Sequence, residues 1–297
     1  MERMLKDVRT YILLAGPALL VFILFVPFPA LFSVVLSLFK WDLVGSMRFL
    51  GFDNYRFMLV DDPVFWRAAR NTIAFVLLST AIQLPFAFLL ANLLVRMTKG
   101  TYGIFRGIIF LPVTFSGVAV SLMFYFIYHP NVGLLNGVLR LAGIPSTFPW
   151  LGDARTALVA VIVSLAWQWT GYHMVIYLTG LTTIPDELWE AARIDGANEL
   201  QVTRHIVLPL LLPSIRVSLI LIITSSLKSF DQIYIMTFGG PNHASEVIAS
   251  QMYLKTFAQL KYGYGSALST VLLALCVLSA LGIDALFKRL DGAERAA

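Results

Sequence analysis

Long apolar runs, separated by short polar stretches, recur six times along this chain. A bilayer core of about 30 Å requires roughly 20 apolar residues in helical form. Residues 11–39 carry no ionisable side chain beyond Tyr11. Residues 71–95, 107–128 and 262–283 contain no Asp, Glu, Lys, Arg or His, and residues 156–185 contain only His173. The remaining run, 208–238, holds Arg216, Lys228 and Asp231. The pattern predicts six transmembrane helices, at about 11–39, 71–95, 107–128, 156–182, 208–238 and 262–287. The fold class expected is an all-α polytopic membrane protein.

Between the fourth and fifth runs lies a polar island, residues 185–206. Pro185 can open a helix, and Asp186 and Glu187 suit the positive end of its dipole. Gly196 is a helix stop, because glycine enters the left-handed region at little cost. Asn198 with Gln201 three residues later predicts a capping box opening a second helix. Pro209 and Pro213 then fit the entry to the fifth span. The island therefore reads as a helix-turn-helix projecting into water.

Composition agrees. Of 297 residues, 58% are hydrophobic and 13% charged, against about 25% charged in soluble domains. Mean hydropathy is +0.79. The net charge of +5 comes with no basic cluster or groove-reading motif, which argues against nucleic acid as a partner. If the chain ends face the cytoplasm, that side carries 11 Lys/Arg in 55 loop residues against 9 in 82 opposite. The density bias is in the direction of the positive-inside rule. Cys276, the single cysteine, sits in an apolar run and reads as a packing residue. The first run is too long for a cleavable signal, with no clear small-residue cleavage site after it. One transmembrane domain, 1–297, is expected. The 40–70 segment, with Gly51, Asn54 and Tyr55, reads as a short surface loop.

Catalytic chemistry is not legible. There is no GxxxxGK[ST] phosphate loop, no HExxH and no convincing Ser/His/Asp set. Polar groups within apolar spans are the informative ones, since they are costly unless they face protein or water. The fifth span is densest, with Lys228, Ser229, Asp231, Gln232 and Tyr234; the fourth adds Trp167, Gln168, Trp169, Tyr172 and His173. Counted inward from Gly239 as helix, Lys228 lies about 16 Å deep, near the midplane of a ~30 Å core. These residues are candidates for a solute pathway. Two readings fit Lys228 and Asp231: solute-facing groups, or a structural pair three residues apart on one helical face. Trp167 and Trp169 fit either the pathway or an interfacial belt. His173 is expected to be a packed interhelical hydrogen bonder, and Arg216 to snorkel towards headgroups.

Glu190-Ala191-Ala192, Gly196, Ile206 and Leu208-Pro209 together spell EAA-x3-G-x9-I-x-LP. That pattern resembles the cytoplasmic coupling loop of permease subunits of binding-protein-dependent ABC importers. Phe230–Tyr234 followed by Thr237-Phe238-Gly239-Gly240-Pro241, and Arg106-Gly107 with Leu111-Pro112, resemble carbohydrate permeases of the maltose and glycerophosphate type. Gly133 and Asn136 are similar to their short external loop.

The resemblance implies a transmembrane subunit of a sugar or oligosaccharide importer. Its partners would be a second, non-identical permease, two ATPase subunits and an extracytoplasmic solute-binding protein. The chain itself would hold no cofactor and be no enzyme, ATP and Mg being bound by the ATPases. It would sit in a bacterial or archaeal cytoplasmic membrane with both termini cytoplasmic. Glu190, Ala191, Ala192, Asp195 and Gly196 would couple to the ATPase, Glu190 by charge and the alanines by close approach. A glycerophosphodiester importer is the near alternative. An ion-coupled carrier is the distant one, expected to show inverted repeats and unwound helices at the midplane.

Overall fold

The computed structural model describes residues 8–43 and 45–294. Among the described residues, five stretches are long and apolar enough to cross a membrane: Leu14–Leu36, Pro63–Val95, Ala157–Leu181, Glu199–Leu227 and Tyr262–Arg289. Gly100–Thr114 and Gly117–Ile127 supply a sixth if taken as one span, though they meet at 97°. The chain is a multi-pass membrane protein.

Two compact units can be distinguished. The first takes the described part of residues 1–63 with residues 251–273. Its helices α1 (Val8–Phe25) and α2 (Pro27–Leu36) divide the first predicted run at Val26. Proline fixes φ and lacks an N–H, which suits Pro27 to the first turn of α2. A short antiparallel pair follows, β1 (Phe39–Lys40) and β2 (Arg48–Phe49), with Phe39 opposite Phe49. In α3 (Asp53–Arg56), Asn54 is buried and donates to the carbonyls of Ser37 at 2.7 Å and Phe39 at 3.0 Å. The 40–70 segment is thus pinned by a buried amide instead of forming a plain surface loop.

The second unit takes residues 64–250 and the described part of 274–297. Its helices are α4 (Pro63–Val95), α5 (Lys99–Phe110), α6 (Gly117–Ile127), α7 (Leu134–Leu141), α8 (Ala157–Leu181), α9 (Asp186–Ile194), α10 (Glu199–Val202), α11 (Leu208–Leu227), α12 (Asp231–Met236) and α13 (Ile248–Tyr253). The last helix, α14 (Tyr262–Glu294), ends there. In lipid, apolar burial between helices gives little drive, so small residues that allow close packing matter more. On α4 the buried face steps through Ser79, Gln83, Ala87 and Ala91, one helical turn apart. It continues into a core with Leu94, Met174, Tyr177 and Leu181.

Three expectations change. The third predicted span is not one straight helix: a 3₁₀ turn at Leu111–Thr114 and a cap at Ser116 divide it. The fifth is interrupted, since α11 ends at Leu227 and α12 begins at Asp231. Arg216 does not snorkel alone. It ion-pairs with Asp284 of α14, whose other oxygen accepts from Lys288 at 2.8 Å.

Candidate functional site

The interruption in the fifth span is the starting point. Lys228 closes α11, its N–H donating to Ser225 O at 3.2 Å; Ser229 N–H donates to Ser226 O at 3.2 Å. Phe230, with φ −129°, is the N-cap of α12. Neither Pro nor Gly lies in Lys228–Asp231. Charge offers the local logic. Lys228 stands at the negative end of α11, and Asp231 in the first turn of α12, each complementing a helix dipole. A Cβ on Gly117, the first residue of α6, would lie 3.5 Å from an Asp231 carboxylate oxygen. The carboxylate therefore sits beside a second helix N-terminus as well.

The expectation that Lys228 and Asp231 share one helical face fails, because no continuous helix joins them. Among the described residues no ion pair links them either. The depth of Lys228, counted at a uniform helical rise from Gly239, does not carry across the break.

A cavity of about 220 Å³ opens at this point. Its walls include Trp169 and Gln168 of α8, Gly117 of α6, and Lys228, Ser229 and Asp231. Gln232 lines it too. Within a span, broken backbone is tolerated where it is buried in protein or lines a cavity, and this one lines a cavity. Gln168 is 1% exposed; its Nε2 donates to Phe115 O at 2.9 Å, and its Oε1 accepts from Gln232 Nε2 at 3.0 Å. Phe115 lies at the bend of the third segment, so one α8 side chain serves both discontinuities. The other amide atom of Gln232, Oε1, has no protein partner among the described residues.

Six of the ten pathway candidates thus come together: Gln168, Trp169, Lys228, Ser229, Asp231 and Gln232. Trp167, Tyr172 and Tyr234 do not line this cavity. Trp167 packs edge-on against Phe124 at 5.4 Å, Tyr172 against Trp169 at 6.2 Å, and Tyr234 stacks on Phe230 at 5.0 Å. His173 is buried as expected, yet its Nδ1 finds no partner among the described residues. Gly117 was missed; Ser116-Gly117, four residues after Pro112, is the break signal that could have revealed it.

The polar island has the predicted local form. Asp186 and Glu187 occupy the first turn of α9. Gly196 follows its end with φ +72°. Ala197 N–H returns to Ala192 O at 3.0 Å. The capping box is present in both halves: Gln201 N–H to Asn198 Oδ1 at 2.9 Å, and Asn198 N–H to Gln201 Oε1 at 2.8 Å. Its attachment differs from expectation. Ala192 is buried against this chain's own core, with Val202, Val207 and Leu211, so its small size serves internal packing. Arg96, just beyond α4, donates to Glu199 at 2.8 Å. Glu190, Ala191 and Asp195 are exposed, and so are Ile194 at 86% and Leu200 at 77%.

Residues 83–292, which include both sites, match the family described as binding-protein-dependent transport system inner membrane component. The chain belongs to that family. This permease is 38% identical over 265 residues to the probable ABC transporter permease protein YurN of Bacillus subtilis, covering 88% of this chain and 90% of YurN. It is 34% identical over 280 residues to the lactose transport system permease protein LacF of Rhizobium radiobacter, covering 93% of each. Its fold matches a chain of a bacterial ABC transporter involved in import of the acidic polysaccharide alginate. That match has a TM-score of 0.82 at 24% identity, over 97% of this permease and 99% of that chain. Family membership also removes the ion-coupled carrier, even though an interrupted helix is present.

Proposed function

We propose that this permease is one transmembrane subunit of an ABC importer for a sugar or oligosaccharide, acting as a single domain over residues 1–297. The observation that carries the reading is the coupling loop. It is fastened to the core through Ala192, Val202 and Val207, yet leaves Ile194 and Leu200 exposed. A lever needs both properties: a rigid root and a free face. One of two ATPase subunits, which hold ATP and Mg, docks on the face formed by Glu190, Ala191, Asp195 and Gly196. This chain, with no phosphate loop, hydrolyses nothing itself. The name of LacF supports a sugar as cargo.

An external solute-binding protein delivers the sugar, and a second, non-identical permease completes the pathway. Both termini face the cytoplasm of a bacterial or archaeal cell; residues 1–7 and 295–297 lie outside the described residues. Solute passes the break in the fifth span. Trp169 offers an apolar face to sugar C–H groups, while Ser229, Gln232, Lys228 and Asp231 address hydroxyls. One observation favours a glycerophosphodiester instead: the cation Lys228 on the cavity wall.

The test is a ligand screen of the cognate binding protein, followed by uptake into vesicles holding the complete transporter. Sugar binding and ATP-dependent sugar uptake support the proposal. Binding of glycerophosphodiesters alone supports the alternative. Uptake that survives ATP depletion overturns both.

A further inference from the structure

The first unit holds a second pocket, of about 360 Å³, unrelated to the solute cavity. Lys40, Lys255 and Lys261 line it, with Trp41 and Tyr264; Asp42 is the acid on its wall. Among the described residues none of the three lysines ion-pairs with an acid. Asp62 lies buried nearby, its carboxylate accepting from Tyr264 at 2.6 Å and Gln251 at 2.9 Å. Three cations therefore converge from segments more than 200 residues apart, against one lining carboxylate.

The convergence is built, and glycine makes it possible. A Cβ on Gly263 would lie 1.9 Å from the carbonyl oxygen of Phe39. Only a glycine lets β1 approach the start of α14 so closely, and that approach brings Lys40 and Lys261 to one pocket. The amide of Asn54 donates to the same Phe39 carbonyl at 3.0 Å and clamps the strand there. Lys255 Nζ is held 5.9 Å above the ring of Tyr264.

The pocket also lies at the ends of two apolar stretches. Lys40 comes four residues after the apolar stretch Leu14–Leu36, and Lys261 directly precedes Tyr262–Arg289. Trp41 and Tyr262 pack at 5.5 Å, the aromatic pairing expected at headgroup level. Phe57, 46% exposed, lines it, and Phe257, 57% exposed, packs at 6.4 Å from Tyr262. A cationic pocket at the ends of two spans, edged by exposed aromatic rings, matches a molecule with an anionic head and apolar tails.

We propose that this pocket binds the phosphodiester headgroup of an anionic phospholipid. Lys40, Lys255 and Lys261 neutralise the phosphate, and Trp41 with the exposed phenylalanines packs on the glycerol and upper acyl chains. The site holds the first unit at a fixed depth in the bilayer. It rests on the membrane topology and not on the identity of the transported solute.

The test uses the complete transporter, purified and delipidated in neutral detergent, with lipid binding counted by native mass spectrometry. Phosphatidylglycerol is titrated against phosphatidylcholine of the same chain length. Wild type is expected to prefer phosphatidylglycerol. Each Lys→Gln change is expected to weaken that preference about fivefold, and the triple change about a hundredfold. The triple Lys→Arg variant should retain the preference. Lys261→Gln alone, at an exposed position, keeps the test decisive if the triple variant does not assemble.

Equal affinity for the two lipids overturns the proposal, as does an undiminished preference in the Lys→Gln variants. Displacement of phosphatidylglycerol by millimolar inorganic phosphate would identify a soluble anion as the ligand and overturn the lipid source. Loss of binding-protein affinity in the variants, with lipid preference intact, would make the pocket a contact for an acidic protein and overturn it too.

Discussion

Gln232 donates its side-chain amide to the Oε1 of Gln168 at 3.0 Å, joining the segment beyond the helix break to the middle of α8. Both side chains are almost fully buried. Gln168 meanwhile satisfies the Phe115 carbonyl at the neighbouring bend. Two interrupted spans are thereby referred to one uninterrupted helix, which fixes the cavity between them.

Replacing either glutamine with leucine should lower the thermal stability of the assembled transporter. The stranded amide costs about 1–3 kcal/mol, and the coupling between the pair is about 0.6 to 1.7 kcal/mol. A double-mutant cycle on the unfolding midpoint measures it. Additive effects would show that the bond contributes nothing.

Lys228→Ala and Asp231→Ala should each impair uptake while leaving complex yield near wild type. The two charges lie on opposite sides of a break and form no ion pair among the described residues. Combining the changes should therefore restore no transport. Recovery in the double variant, measured as uptake per assembled complex, would mean the residues act as a structural pair after all.

Arg216 and Asp284 should behave in the opposite way. They meet within the bundle, with side chains only 27% and 32% exposed. Arg216→Leu strands a carboxylate partly covered by Lys288, and a yield loss of several-fold is expected, from a penalty of up to about 3 kcal/mol. Arg216→Leu with Asp284→Leu should recover most of the yield. Quantitative membrane immunoblotting of the assembled complex reads the result.

Gly196 tests the lever. An added Cβ there meets nothing within 4 Å, so any effect must come from the backbone at φ +72°. Gly196→Val should cost about 1–2 kcal/mol locally and reduce ATPase co-purification. Gly196→Asn should retain more, because asparagine visits the left-handed region readily. Gly196→Asp, which adds a charge beside the exposed Asp195, should uncouple uptake most. Equal retention of ATPase and uptake by all three would remove Gly196 from the coupling mechanism.

Local chemistry wrote much of this protein directly into its sequence. Span positions follow from apolar length, because lipid demands that each backbone group be satisfied within its own helix. The Gly196 turn and the Asn198–Gln201 box were legible because each acts within a few residues of itself. Pro112, followed by Ser116-Gly117, is a local signal for the bend in the third span. The interruption at Lys228–Phe230 had no such signal: no proline or glycine stands there, only a cation and an acid suited to opposite helix ends. Tertiary structure decided it, through Gly117 beside Asp231 and Gln168 bonded to Gln232 across 64 residues. It also decided that Ala192 packs inward and that Arg216 meets Asp284, because only the folded chain brings those distant groups within reach.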